Sequence, residues 1–272
     1  MNKSPKPRIA FFDFACCEGC QLTVLELDES LFDIFEHVEV AAWREVLSGG
    51  SDDYDIAFCE GSIATEADLQ RIKKIRETAD IVVALGSCAS IGCHNVLRNS
   101  WPTQLAIQEV YGDTLDRFDV IPARPVSGVV PVDYRVHGCP ASLSEFVSVC
   151  KHILTGQEYE LPNQPVCVEC KLNDYLCVYE KGLICLGPVT RCGCNAICTG
   201  YGNVCHGCRG LMDEANLQAA LNVLSAQPER LHAIMKAVVE RHRLGKDEIV
   251  SRFSVYNSWP ELRVKEVEAD GS

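Results

Sequence analysis

At 272 residues and 47% hydrophobic composition, the chain has enough apolar side chain for a sizeable core in each of two ordinary domains, so its 17 cysteines are not there to staple a fold that lacks one. An odd number of cysteines cannot all pair within the chain, and close spacings suit chelation better than a disulfide ladder. The formal charge of -13 argues against nucleic acid as a partner, because affinity for the phosphate backbone rests on clustered Lys and Arg; it otherwise serves solubility.

Along the chain, MNKSPKPRIAFFDFACC offers only a short apolar stretch that runs into cysteine and acid, with no twin-arginine pair, and so does not read as an export signal. RIAFFDFA is a buried strand by its apolar and aromatic run, followed by a loop with Cys16, Cys17 and Cys20 and a helical pattern from Leu22 to Phe35. HVEVAAW and YDIAFCEG read as strands, and ATEADLQRIKKIRETA as an amphipathic helix opened by a Thr65 cap. DIVVALGSC is a further strand; GVVPVDYRV leads to His137-Gly138-Cys139-Pro140, with a helix from Leu143 to about Leu154 behind it. Strands alternating with helices imply a parallel sheet covered on both faces, whose ligands sit beyond the carboxyl ends of the strands. Cys17 and Cys20, Cys88, and Cys139 each follow a predicted strand end, so four thiols from three loops are expected to converge on one edge.

TGQEYELPNQP, from Thr155 to Pro165, is a linker by composition. Beyond it the apolar periodicity stops for about forty residues and metal is expected to replace a hydrophobic core as the organiser. Helix returns from Asp213 to His242, with Pro228 starting a second segment and Gly245 suited to its end, before the charged tail ELRVKEVEADGS. The longest apolar runs, IVVALG and VSGVVPV, fall short of the roughly 18 residues that span a bilayer, so the expectation is a soluble, cytoplasmic chain without a membrane span, in a compartment that keeps thiols reduced. The fold class expected is α/β: a sheet domain over 1–158 and a cysteine-rich domain with C-terminal helices over 159–272.

The stretch from Pro165 to Gly210 holds nine of the 17 cysteines. Its ladder is Cys167-x2-Cys170-x6-Cys177-x7-Cys185, then Cys194-x3-Cys198-x6-Cys205-x2-Cys208, which supplies two sets of four, each with a C-x2-C pair whose sulfurs share one turn. Structural zinc uses paired C-x2-C motifs as well. Two features favour iron-sulfur over zinc: the ligands between residues 17 and 139 come from dispersed loops of a sheet, and glycines (Gly86, Gly138, Gly187, Gly193, Gly207) flank the cysteines and let backbone N–H groups approach cluster sulfurs.

The motifs CCEGCQLTVLEL, CEGSIAT, GSCASIGC, HGCPAS, CLGPVTRCGC and CHGCRG, in this order, resemble the small subunit of soluble [NiFe] hydrogenases of the methanogen and sulfhydrogenase types, group 3, from about residue 8 to 210. The resemblance implies a flavodoxin-like first domain and three [4Fe-4S] clusters. Carried over residue by residue, Cys17, Cys20, Cys88 and Cys139 would hold the proximal cluster, nearest the large subunit. Cys167, Cys170, Cys177 and Cys185 would hold the distal cluster, and Cys194, Cys198, Cys205 and Cys208 the medial one, with the division of the last eight open because neighbouring ferredoxin-type motifs exchange ligands. Many membrane-linked relatives have histidine where Cys167 stands and proline where Cys198 stands; all-thiolate ligation adds negative charge and is expected to lower both potentials. The chain would then be an electron relay in a heteromeric complex, with no catalytic residue of its own. Its partners would be a large subunit carrying the Ni-Fe centre and an electron-acceptor subunit of flavin, ferredoxin-like or disulfide-reductase type.

Five cysteines remain. Cys59 and Cys150 fit small buried positions, while Cys16, Cys93 and Cys192 lie beside expected ligands. Cys16 keeps an alternative open, because adjacent cysteines hold the cluster in the quinone-reductase relative of this fold, where the chain would serve as an iron-sulfur electron-transfer subunit. RCGCNAIC lacks the second C-x2-C pair near the C-terminus that a nickel site needs, and GSCASIGC lacks the Lys of a phosphate loop. Glu18 and Glu60 near the first set read as carboxylates accepting loop N–H bonds, with Glu60 placed by the resemblance beside the cluster and the subunit interface. His137 and His94 read as hydrogen-bonding or solvated side chains.

Overall fold

The structure, a computed structural model, describes residues 6–27, 29–100, 102–112, 119–216 and 219. The chain divides into two compact units, Met1–Glu160 and Leu161–Ser272. The helical segments expected from Asp213 to His242 and beyond, with Pro228, Gly245 and the charged tail, fall almost wholly outside the described residues.

In the first unit, β1 (Arg8–Asp13), β2 (Glu39–Ala42), β3 (Ile56–Glu60), β5 (Ile81–Leu85) and β7 (Tyr134–Val136) form one parallel sheet in the order β2-β1-β3-β5-β7. Counted as five parallel strands, this is the 2-1-3-4-5 order of flavodoxin-like folds, whose switch point lies between the first and third strands. β3, buried along its whole length, occupies the centre, which is why its sequence is apolar rather than alternating.

The pleat sends Phe11, Phe58 and Val83 to one face and Ala10, Ala57 and Val82 to the other. On the first face Phe11 stacks on Trp43 at 4.0 Å and on Phe58 at 4.7 Å between centroids, and Phe146 from helix α6 (Leu143–Thr155) closes on Phe58 at 5.3 Å. On the second, the small Ala10, Ala57 and Ala84 leave room for Ile72 and Ile75 of α3 (Glu66–Thr78). Thr65 caps α3 as its sequence predicts: its side chain accepts from the Asp68 N–H at 3.0 Å, and Asp68 answers by accepting from the Thr65 N–H at 3.1 Å.

Two expectations need correction. The Leu22–Phe35 pattern is two helices, α1 (Gly19–Leu25) and α2 (Glu29–Phe35). Only Tyr134–Val136 of GVVPVDYRV is strand, and Pro131, which has no N–H to give a ladder, lies outside it. A short antiparallel pair, β4 (Ile63–Thr65) with β6 (Val120–Arg124), and helix α5 (Thr103–Tyr111) are additional elements. Helix α4 (Gly86–Ile91) follows β5 directly.

The second unit is mostly turns around two short helices, α7 (Val166–Leu172) and α8 (Ile197–Gly200). Its small core of Val166, Val178 and Ala196 includes two buried cysteines, Cys185 and Cys205, so thiols are part of the apolar packing here. Among the described residues no helix is long and apolar enough to cross a membrane.

Candidate metal centres

The parallel sheet presents the carboxyl ends of β1, β5 and β7 on one edge, and each leads into a cysteine loop. The Ser87 N–H donates to the Gly138 carbonyl at 2.8 Å and ties the loop after β5 to the loop after β7. Gly86 has φ +79, and a Cβ built there would run into the Cys20 sulfur. The Cys93 side chain hydrogen-bonds with both Cys139 and Cys88, which pushes its own thiol far up and pulls Cys88 down. Burial, then Glu60, pushes the Cys20 thiol up, with the charge of Cys88 adding to both. Cys20, Cys88 and Cys139 are thus brought together, with Cys93 among them. Cys17 is exposed, its sulfur over Gly19. Cys16, half-buried, is pushed up to about 12 by burial and then Glu60, and it too stands within the influence of Cys88.

Carboxylates fasten these loops. Glu60, 1% exposed, accepts from the N–H of Cys20 at 3.1 Å and of Gln21 at 3.0 Å. Burial raises its pKa and these N–H groups hold it back. Glu145 does the same for the third loop, accepting from the His137 N–H at 2.6 Å while the buried His137 Nδ1 stands 3.6 Å from the same oxygen. Gly138 carries φ +122, followed by a cis Cys139–Pro140 bond. Glu18, expected to accept from loop N–H groups, instead meets Arg44. His94 is exposed.

In the second unit Cys167 and Cys170 share one face of α7. A Cβ at Gly187 would lie 3.3 Å from the Cys167 sulfur and 3.4 Å from that of Cys185. The Cys185 sulfur accepts from the Cys205 N–H at 3.2 Å and from the Gly187 N–H at 3.4 Å, the kind of backbone donation that a cluster thiolate uses. Cys167 is pushed up to about 11 by burial first, then by Cys185, Cys170 and Cys177, so all four thiols of the first set share one neighbourhood. Cys205, pushed up to about 12 by burial, feels both Cys185 and Cys208, and Cys194 feels Cys198. The second set therefore stands as two close pairs, one of them abutting the first set. Buried Cys192 is engaged through its backbone, donating from N–H to the Gln164 carbonyl at 2.8 Å.

Two charged residues that sequence reasoning passed over flank this second set. Glu169, on α7 between Cys167 and Cys170, accepts from the Gly193 N–H at 2.8 Å and the Ala196 N–H at 3.3 Å, and its Oε2 lies 3.8 Å from the Cys194 sulfur. Arg209 is fully buried and donates from Nε to the Cys192 carbonyl at 2.7 Å. Burial raises the Cys194 thiol and the Ala196 N–H lowers it; Glu169 raises it further and Arg209 opposes that. The available signal was an arginine inside CHGCRG, a stretch otherwise free of charge. Among the described residues, no three Cys, His, Asp or Glu side chains converge on a single bare ion. Glycine cradles against cysteine sulfurs and N–H donors aimed at them fit a larger inorganic group with several attachment points.

Cys59 and Cys150 are buried, as expected, in β3 and α6. Burial pushes both thiols up to about 12, so less than about one part in a thousand is thiolate at pH 8. Iodoacetamide at pH 8 is expected to leave these two unmodified in the native protein and to label them after denaturation, read by peptide mass spectrometry.

The family described as NADH ubiquinone oxidoreductase, 20 Kd subunit, matches residues 17–153. Sulfhydrogenase 2 subunit delta of Pyrococcus furiosus is 37% identical over 80% of this chain and 92% of its own length. A subunit of the F420-non-reducing hydrogenase vhu of Methanococcus voltae is 29% identical over 77% of this chain and 84% of its own length. Among solved structures, the NAD+-reducing [NiFe]-hydrogenase in its H2-reduced state contributes a chain with a TM-score of 0.53 and 25% identity, covering 58% of this chain and 96% of that one.

Proposed function

The chain belongs to the NADH ubiquinone oxidoreductase 20 Kd subunit family and within it is the small subunit of a group 3 [NiFe] hydrogenase, a premise from which we propose that it relays electrons between a large subunit's Ni-Fe centre and a redox partner through three [4Fe-4S] clusters. The proximal ligands are Cys17, Cys20, Cys88 and Cys139, in the flavodoxin-like half, 1–158. The half over 159–272 holds the distal cluster on Cys167, Cys170, Cys177 and Cys185 and the medial one on Cys194, Cys198, Cys205 and Cys208. The observation that carries this reading is the meeting of Cys20, Cys88 and Cys139 from three strand ends over a glycine that leaves the Cys20 sulfur free of backbone crowding.

When bound, such clusters would supply one-electron carriers, which a relay across a protein needs because tunnelling falls steeply with distance. The chain's own residues fix where they sit. Glu60 and Glu145 hold the proximal loops, and the N–H groups of Gly187 and Cys205 stabilise the Cys185 thiolate. The complex works in the cytoplasm, its further partner being an electron-acceptor subunit of flavin, ferredoxin-like or disulfide-reductase type.

Anaerobic co-purification with metal and sulfide counting tests this. About twelve irons on this chain, with nickel only on its partner, are expected. Cys17→Ser lowers the iron count by about four and Cys16→Ser leaves it unchanged. A colourless chain holding zinc overturns the reading, and the reverse outcome of the two serine variants moves the proximal ligand to Cys16.

A further inference from the structure

Arg209 has no exposed surface, and the lost hydration of a guanidinium so buried has to be offset by hydrogen bonds and nearby negative charge. It lies against the Cys192–Cys194 turn, where Gly193, at φ +112, provides the room: a Cβ there would run into the guanidinium. Glu169 engages the same turn through the Gly193 and Ala196 N–H groups and reaches the Cys194 sulfur. One short backbone segment carrying a cysteine thus touches both a cation and an anion.

We propose that Arg209 and Glu169, charges of opposite sign at the Cys192–Cys194 turn, set the reduction potential of the cluster held by Cys194, Cys198, Cys205 and Cys208, with Arg209 raising it and Glu169 lowering it. This rests on the ligand reading above. Reduction adds an electron to a site that four thiolates already make anionic, so a fixed cation beside it favours the reduced form and a fixed anion disfavours it. The two effects differ in size: Arg209 is shielded from solvent and unscreened, whereas Glu169 is half-buried and screened in part. The pair also gives all-thiolate ligation a correction that the ligand set alone lacks. Because Glu169 projects from the helix that carries Cys167 and Cys170, its charge sits where two cysteine sets adjoin.

The test is a redox titration of the anaerobic complex followed by electron paramagnetic resonance, with iron counted in parallel. Arg209→Gln is expected to move one component to lower potential, with about tenfold less of it reduced at a fixed poise, which is about 59 mV for one electron. Arg209→Lys keeps the charge and leaves that component near its starting potential. Glu169→Gln, equal in shape and still able to accept from Gly193, moves the same component to higher potential by a smaller amount, and the double variant falls between. If Arg209→Gln loses iron, the sign of the Glu169→Gln shift decides alone. Full iron with no shift, or shifts of one sign in both variants, overturns the charge pair and leaves the cluster reading standing; an unaltered complex without iron or a paramagnetic signal overturns the cluster reading itself.

Discussion

In the Gly86→Ala protein, iron per chain is expected to fall by about four, and hydrogen-dependent dye reduction by about a hundredfold or more. Gly86 follows β5 with φ +79, a left-handed conformation that costs an alanine about 1–2 kcal/mol. That cost alone would be tolerable. The added methyl, however, would occupy the space of the Cys20 sulfur; with Ser87 tied to Gly138 at 2.8 Å and the Cys20 N–H held by Glu60, the backbones stay put and the sulfur has to turn away from its place. Displacing Cys20 breaks up its meeting with Cys88 and Cys139, which are the proposed proximal ligands. Gly49→Ala is the control, since a Cβ there meets nothing within 4 Å, and it is expected to keep full iron and activity. Full iron in Gly86→Ala would show that the proximal ligands lie elsewhere.

Glu60→Ala is expected to release iron to a chelator about 10- to 100-fold faster than the unaltered complex, with Glu60→Gln between the two. Both oxygens of this carboxylate are used, and the side chain is 1% exposed, so no solvent stands ready to replace it. Each buried N–H left without an acceptor costs about 1–3 kcal/mol, and there are two of them, on Cys20 and Gln21. Glutamine restores one acceptor and turns an amide donor toward the other N–H. Equal iron release in all three proteins would mean that the loop holds its shape without this anchor.

The alternation of apolar strands and amphipathic helices makes the parallel sheet legible, and Thr65 with Asp68 announces its helix, because these signals are local in sequence. Cysteine spacing marks the proposed ligand sets for the same reason. What spacing cannot convey is the support around the sulfurs. Glu60 reads in the sequence as an acceptor of loop N–H groups, but that its partner is Cys20, 40 residues away, is not marked, and nothing near Glu169 signals its bond to Gly193, 24 residues on. In sequence Cys93 looks like a spare; its place between Cys88 and Cys139 depends on the turn of chain after α4 and on the loop after β7. The β4–β6 pair escapes notice because a strand of three residues, as β4 is, carries too little pattern to register.

The two ends of the CEGC turn are moored differently. Cys20 hangs from a buried carboxylate, while the Glu18 side of the turn is tied to Arg44, whose side chain is 61% exposed and also faces Asp13 at 3.4 Å and Glu45 at 3.7 Å. Concentrated electrolyte shrinks the reach of surface charges to about 3 Å at 1 M and leaves interior contacts almost untouched. Brine therefore slackens one mooring and spares the other, so that Cys17, between the backbone-paired Ala15 and Cys20, loses a restraint that Cys20 keeps.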